Sequence, residues 1–534
     1  MDKLNGQSMD LEEKNIEDLK KLFPNVVTEG KIDFEKLKLL LGENLEERNE
    51  KYQFTWNGKS KAIKLAQLPS KETLRPSKED SKNWDTTDNL YIEGDNLEVL
   101  KQLQKTYFGK IKMIYIDPPY NTGNNILYKN DFSMDSNDLK KKQKDNKMVG
   151  GDYFNNSIKS ASFHTEWINI MYSRLILAKN LLSNFGAICI AIDDNELANL
   201  IKISDEVFGE DNRLGIVTVV HKPEGRNQEK YFATSNEYAL FYCKDKDNYA
   251  FQPAILDGDI LAKYDMQDKK GLFKGNPLMR VKDGRHFNEI NLDNFQYPIY
   301  VDRDTEKVNL EKKKNCIELY PVSSSGKWYR WRMIKETLED KIKDNEIFAK
   351  KNKNGDYIIY EKYRITKGQL IKTHWIKKKY NATQYGSRLL SNLMDGKTFD
   401  FPKSLHLISD ILKLTLDKNG VVLDFFSGSA TTAHAVMKLN AEDGGNRKFI
   451  MVQLPEKTDE KSEAHKAGYK NICEIGKERI RRAGDQIKQE LINKKEKAGM
   501  LDENIVDPES LDIGFKVFKQ QLIKTYLIKN YRNL

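Results

Sequence analysis

The chain has 534 residues, 39% of them hydrophobic and 10% aromatic, which is enough apolar material for the cores of two to three domains of a soluble globular protein. Lys and Arg outnumber Asp and Glu by 89 to 80, a formal charge of +9 that permits nucleic-acid binding without requiring it. The four cysteines (Cys189, Cys243, Cys316, Cys473) are far apart with no C-x-x-C pair, the first residues hold no apolar signal core, and no apolar run is long enough to span a bilayer; these features argue against a disulfide framework, a zinc site, secretion and membrane insertion, and for a reducing cytoplasm.

Residues 1–85 are charged and weakly patterned, with helical signals at Leu11–Leu22 and Phe34–Leu41 and a strand-like Tyr52–Trp56. They read as an N-terminal extension, and Lys71–Asp88, rich in Lys, Ser, Pro and Asp, reads as a linker. In NLYIEGDNLEVLKQL a short apolar strand leads into a helix with Leu97, Leu100 and Leu103 on one face and Asp95 as its cap. The next strand, Ile111–Ile116, is apolar and β-branched, as a buried parallel strand is, and it stops at Asp117-Pro118-Pro119-Tyr120. The carboxylate therefore stands at the C-terminal edge of a sheet, where open α/β folds bind ligands. The prolines remove two N–H donors, so an acid, rigid carbonyls and a ring converge, a set suited to an exocyclic amine on a flat base. A turn with a packed tyrosine accounts for the tetrapeptide equally well, so a second motif has to decide.

Lys129–Ser162 is polar and reads as a mobile insertion, serving as a lid, a DNA-contacting loop or simply a solvated segment. His164–Phe185 has helical apolar spacing and ends at Gly186. Strand Ala187–Ile192, helix Glu196–Phe208 and strands Gly215–Val220 and Tyr238–Cys243 continue the α/β alternation. From about 251 to 380 the alternation gives way to short strands with aromatics and lysines. Residues 331–380 carry 14 Lys/Arg against 7 Asp/Glu, interleaved with Trp331, Tyr360, Tyr363, His374 and Trp375, and Trp328 and Tyr329 lie just before them. This is the composition of a phosphate-tracking, base-reading surface or of a solvated basic face. Gly396-Lys397-Thr398 lacks the upstream glycine of a P-loop and supports no nucleotide-triphosphate site.

The second motif is VVLDFFSGSATTAHAVMKLN, residues 421–440: a strand closed by Asp424, a turn in which Gly428 permits close backbone approach, and a helix whose first N–H groups and Thr431 and Thr432 hydroxyls face the crevice. Such a turn holds an anionic or zwitterionic ligand, although it is a poor dinucleotide fingerprint. With both motifs in one sheet, the chain resembles the S-adenosylmethionine-dependent DNA amino-methyltransferases in which the DPPY motif precedes the cofactor motif. More narrowly it resembles the modification (Mod) subunits of type III restriction-modification systems. The resemblance runs from NLYIEGDNLEVLKQL through IDPPYNTGN, QYPIYV, FDFPKSLHLI and FSGSATTAHAV to KERIRRAGDQI and IGFKVFK.

The resemblance implies a Rossmann-like α/β sheet with helices on both faces, divided into a catalytic half (86–250), an inserted target-recognition domain (251–380), a cofactor-binding half (381–495) and a C-terminal tail (496–534). It implies methyl transfer to adenine N6 in double-stranded DNA, with cytosine N4, RNA adenine or an inactive recognition subunit as alternatives. Asp117 and Pro118 would receive the amine, with Pro119 fixing the turn and Tyr120 stacking on the flipped base. S-adenosylmethionine would lie across Asp424, Phe426, Gly428, Ser429 and Thr431, with Phe401, Lys403 and Ser404 contributing. Two departures stand out: Gln453 ends the strand where the family places a ribose-binding acid, and the segment after IGFKVFK does not match the family tail. A homodimer and a separate helicase-nuclease restriction subunit are the expected partners.

Overall fold

The computed structural model describes residues 8–28, 31–41, 53–122, 163–225, 231–253, 262–280, 292–323, 325–364, 371–498 and 505–522. The polar stretch Lys129–Ser162 lies outside the described residues. Two compact units are present, Met1–Gln252 with Lys372–Leu534, and Pro253–Ile371.

The first unit is built on a ten-stranded sheet. In chain order its strands are β1 (Glu72–Lys82), β2 (Leu90–Glu93), β3 (Ile111–Ile116), β4 (Leu182–Ile192), β5 (Arg213–Val220), β6 (Asn236–Cys243), β7 (His374–Trp375), β8 (Asn419–Asp424), β9 (Asn446–Gln453) and β10 (Phe515–Leu522). The spatial order is β7-β5-β6-β4-β3-β8-β9-β2-β10-β1. From β4 to β10 all neighbours are parallel, while β6 runs antiparallel to both β4 and β5, and β1 antiparallel to β10. The chain moves outward from β3 in one direction and from β8 in the other, so the boundary between them is a topological switch point, where the strand ends leave a crevice.

Helices α1 (Lys59–Gln67), α2 (Asn96–Tyr107), α3 (Phe163–Leu181) and α4 (Leu197–Phe208) form one group, and α5 (Leu405–Thr415), α6 (Thr431–Asp443) and α7 (Ile472–Ala498) another. Alternate strand residues (Ile92, Ile114, Ile116, Ile188, Ile190, Leu423, Ile450, Val452) join one core with the first group. Their neighbours of opposite parity, such as Met113, Tyr115, Val422 and Phe449, are equally buried, so the sheet is covered on both faces. Asp95 caps α2 as expected, accepting from Leu97 N at 2.9 Å.

Several boundaries differ from those read in the sequence. The expected linker contains β1, an edge strand that tolerates Pro76 and exposed charge because only one of its edges is paired. Residues assigned to an appended extension contribute Leu11, Ala62 and Ala66 to the main core. The expected tail supplies β10, inserted between β2 and β1. Helix α3 stops at Leu181, because Leu182 already pairs with Ile111 of β3. Gln53–Trp56 forms no strand; Phe54 and Trp56 instead pack as rings, Trp56 meeting Tyr172 edge-on at 4.9 Å.

The second unit holds a four-stranded antiparallel sheet (Ile347–Lys351, Tyr357–Arg364, Gly271–Pro277, Met266–Asp268) and a three-stranded one (Val308–Asn309, Ile299–Asp302, Cys316–Leu319), with a core of Leu278, Ile299, Val301, Trp331, Leu338, Ile347 and Ile359. The expected basic, aromatic surface is only partly realised. Trp331 is core and donates to Tyr297 O at 2.7 Å, and Tyr360 stacks on Phe348. Trp375 belongs to β7 of the other unit, and Lys362 and Arg364 are neutralised by Asp268 and Glu346. Trp328 and Tyr363 remain about half exposed.

Candidate active site

The switch point brings together two strand ends. Met113 and Ile114 of β3 pair with Val422 and Leu423 of β8, so Asp117 and Asp424 leave adjacent strands at the same edge of the sheet. Tyr115 lies among them, its hydroxyl buried and without a hydrogen-bond partner among the described residues.

On the β3 side, Pro118 and Pro119 cannot continue strand pairing, and the turn they start is locked from outside. Trp167 of α3 donates its indole N–H to Pro119 O at 2.7 Å. Asn121, with φ of 57°, donates to Glu196 Oε1 at 2.6 Å, and the same oxygen meets His164 Nδ1 at 2.7 Å. Within that frame the Tyr120 hydroxyl lies 2.9 Å from Asp117 Oδ1 and 3.1 Å from Glu237 Oε2. Lys403 Nζ lies 3.2 Å from Asp117 Oδ1, contacts Glu237 Oε2 and the Tyr120 hydroxyl, and sits 4.8 Å from the Tyr120 ring centroid. Asp117 keeps 28% of its side chain exposed while Glu237 keeps 4%, so a ligand can reach the first acid and not the second.

Burial pushes the Asp117 carboxyl above its usual range, with Lys403 opposing and Glu237 adding to the shift. For Glu237 burial acts in the same direction, but the Lys403 ammonium overrides it and holds the group below its usual value. Burial would lower Lys403, yet the two carboxylates keep it charged and raise it. The cluster is thus two carboxylates around one ammonium.

The β8 side has a different character. Asp424 is buried and accepts from Phe426 N at 3.1 Å and from the Thr432 hydroxyl at 2.6 Å. Among the described residues no cation pairs with it, and burial pushes its carboxyl up to about 7. Gly428 has φ of 51°, and a Cβ there would lie 3.3 Å from the Phe399 ring. Its N–H donates to Gln453 Oε1 at 2.7 Å, so the residue standing in the place of the expected acid holds the loop. Ala430, also at positive φ, opens α6 without a side-chain cap.

Asp117, Pro118, Pro119, Tyr120 and Lys403 therefore gather on one side of the crevice, and Asp424, Phe426, Gly428 and Gln453 on the other. Lys403, expected beside the cofactor loop, is held by the acids of the β3 side. The Ser429 and Thr431 hydroxyls are turned to the fully buried Arg479 of α7, at 2.9 and 2.7 Å. Ser404 donates to Lys379 O at 2.7 Å, and Phe401 is 86% exposed, so these two do not join either cluster. Glu237, Trp167, Glu196 and Arg479 were not singled out in the sequence. The one available signal was a glutamate at the start of a strand as apolar as EYALFYC, a burial that demands a partner.

A family model for DNA methylases (N6/N4 methyltransferases) matches residues 111–483. The type III restriction-modification enzyme EcoPI Mod subunit of Escherichia phage P1 is 34% identical over 459 residues, covering 83% of this chain and 70% of its own. The StyLTI Mod subunit of Salmonella typhimurium is 32% identical, covering 87% and 68%. The type II methyltransferase M.KpnI of Klebsiella pneumoniae is 33% identical, covering 75% and 88%.

Proposed function

The chain belongs to the N6/N4 DNA methylase family, alongside the type III Mod subunits, and from that premise we propose that it transfers a methyl group from S-adenosylmethionine to adenine N6 in duplex DNA. The observation that carries this reading is the meeting of a reachable carboxylate, Asp117, with a buried and uncompensated one, Asp424, on adjacent strand ends. A cofactor bearing sulfonium and ammonium charge fits the second: among the described residues no cation pairs with Asp424, and Gly428, at a φ of 51°, forms the turn beside it with a bare backbone. Asp424, Phe426, Gly428 and Gln453 would hold it.

Bound there, S-adenosylmethionine supplies an electrophilic methyl group. The adenine amine is a poor nucleophile because its lone pair is delocalised into the ring. Asp117 and the Pro118 carbonyl accept its two N–H bonds, favour a tetrahedral nitrogen and aim the lone pair. Tyr120 offers a ring to a base flipped from the duplex, an extrusion costing a few kcal/mol. Asp rather than Ser ahead of Pro-Pro-Tyr supports adenine over cytosine.

The test is to incubate the pure chain with methyl-labelled cofactor and mixed-sequence DNA, or with RNA in a parallel reaction, and to identify the labelled nucleoside. N6-methyladenine is the expected product; N4-methylcytosine would change the substrate, label in RNA alone would change its class, and no transfer would leave a recognition subunit. In the same reading, Pro253–Ile371 recognises the target sequence, and exchanging it for a relative's unit should change the site that is modified. The chain pairs with a second copy and with a separate restriction subunit, and alone it hydrolyses no ATP. Light scattering, co-expression pulldown and an ATPase assay test these partners in turn.

A further inference from the structure

Glu237 is not needed to bind an amine, since it is buried behind Tyr120 and Lys403. A second carboxylate beside the first nevertheless costs desolvation and repulsion, which calls for a role. Resting on the reading of Asp117 as the amine acceptor, we propose that Glu237 is a positioning residue: it takes the Lys403 ammonium as its own counter-ion, so that Asp117 stays available to the target amine and the pocket keeps one net negative charge.

The geometry supports both parts. Lys403 and the single Tyr120 hydroxyl proton are shared between Asp117 Oδ1 and Glu237 Oε2, whereas Asp117 Oδ2 takes part in no hydrogen bond or ion pair among the described residues. Without Glu237, Lys403 would have Asp117 as its only carboxylate partner among the described residues and would cap the acceptor. Two carboxylates and one ammonium leave one negative charge. In the reaction the amine lone pair forms the N–C bond as the C–S bonding pair returns to sulfur. The nitrogen then carries the positive charge until its proton passes to Asp117 or to water. A pocket with a net negative charge favours that nitrogen cation, and a neutral pocket does not.

Among the described residues the charged and titratable groups facing the pair are Tyr115 of β3, Tyr120 just after it, Cys189 of β4, His221 just after β5, Lys403 before α5, and Asp424 of β8. Of these only Lys403 is a fixed cation in contact with both acids. Replacing it and Glu237 together by neutral residues therefore returns the pocket to its original net charge.

The experiment measures single-turnover methylation against pH for Glu237→Gln, Glu237→Gln with Lys403→Met, and Asp117→Asn as control. Glu237→Gln keeps shape and an acceptor for Tyr120, yet should lose about tenfold or more in rate, with half-saturating DNA and cofactor concentrations unchanged and the acid limb moved to lower pH. The double variant should recover most of the rate and return the limb. Asp117→Asn inactive with Glu237→Gln at the wild-type rate and limb would overturn the proposal. An active Asp117→Asn would instead overturn the amine-acceptor reading beneath it. Should Glu237→Gln prove unstable by thermal melting, the double variant carries the test: activity near wild type supports charge balance, and loss at least as deep as in the single variant Lys403→Met overturns it.

Discussion

Asp117 and Asp424 end neighbouring strands, belong to the same sheet edge and are both pushed up by burial, yet their surroundings are opposite. Asp117 is surrounded by permanent charge, with an ammonium against one of its oxygens and a second carboxylate beyond. Among the described residues Asp424 has only neutral donors, a backbone N–H and a threonine hydroxyl. The first acid is therefore prepared before any ligand arrives, as an acceptor in a reaction must be. In the proposed reading the second is completed by its ligand: a cationic cofactor would favour the ionised form that burial alone disfavours.

The comparison breaks most visibly at Asp117. Replacing it with Ala removes the oriented acceptor but leaves the proline turn, so cofactor and DNA should bind within several-fold of wild type. Single-turnover methylation should fall at least about a hundredfold, roughly 3 kcal/mol of transition-state stabilisation. Turnover near normal would mean the chemistry lies elsewhere. Asp424→Asn should do the reverse, lowering cofactor affinity by about tenfold or more in calorimetry while DNA affinity holds.

A smaller effect sharpens the contrast. Tyr120→Ala should weaken capture of the flipped base several-fold, and a mismatch opposite the target adenine should restore part of the rate because less unpairing energy is needed. The smallest effect is on stability without ligand. The folded pKa of Asp424, about 7, lies above the unfolded value of 3.8, so its charge destabilises the fold as pH rises between those values and most fully above 7. Asp424→Asn should accordingly melt higher than wild type at pH 8, with the gap closing by pH 4 to 5. A constant gap across that range would assign the difference to packing instead.

How much of this was readable in advance depended on what signals a residue leaves. Asp117 and Asp424 were legible because each closes an apolar strand and precedes a turn of restricted backbone, Pro-Pro in one case and Gly428 in the other. Glu237 was not, because a lone acid heading a strand looks like a surface charge until the opposing Lys403 is brought against it by a fold connecting positions far apart in sequence. Lys403 was noticed but assigned to the cofactor, since proximity in sequence to Phe401 and Ser404 says nothing of which strand end its long side chain reaches. Strand β1 was hidden by composition: Ser77 is its one fully buried residue, so the alternation that marks a strand is missing.

That same strand has a consequence for biosynthesis. β1 pairs only with β10, and β10 is the last of the described strands to leave a ribosome. While the rest of the methylase core is being made, β1 and the open edge of β2 have no hydrogen-bonding partner in the sheet, and unpaired edges invite association with other nascent chains. Closure of the sheet is thus deferred until Phe515–Leu522 has been made. A chain interrupted before Phe515 would have both motifs of the crevice and lack the strand that seals the edge beside them.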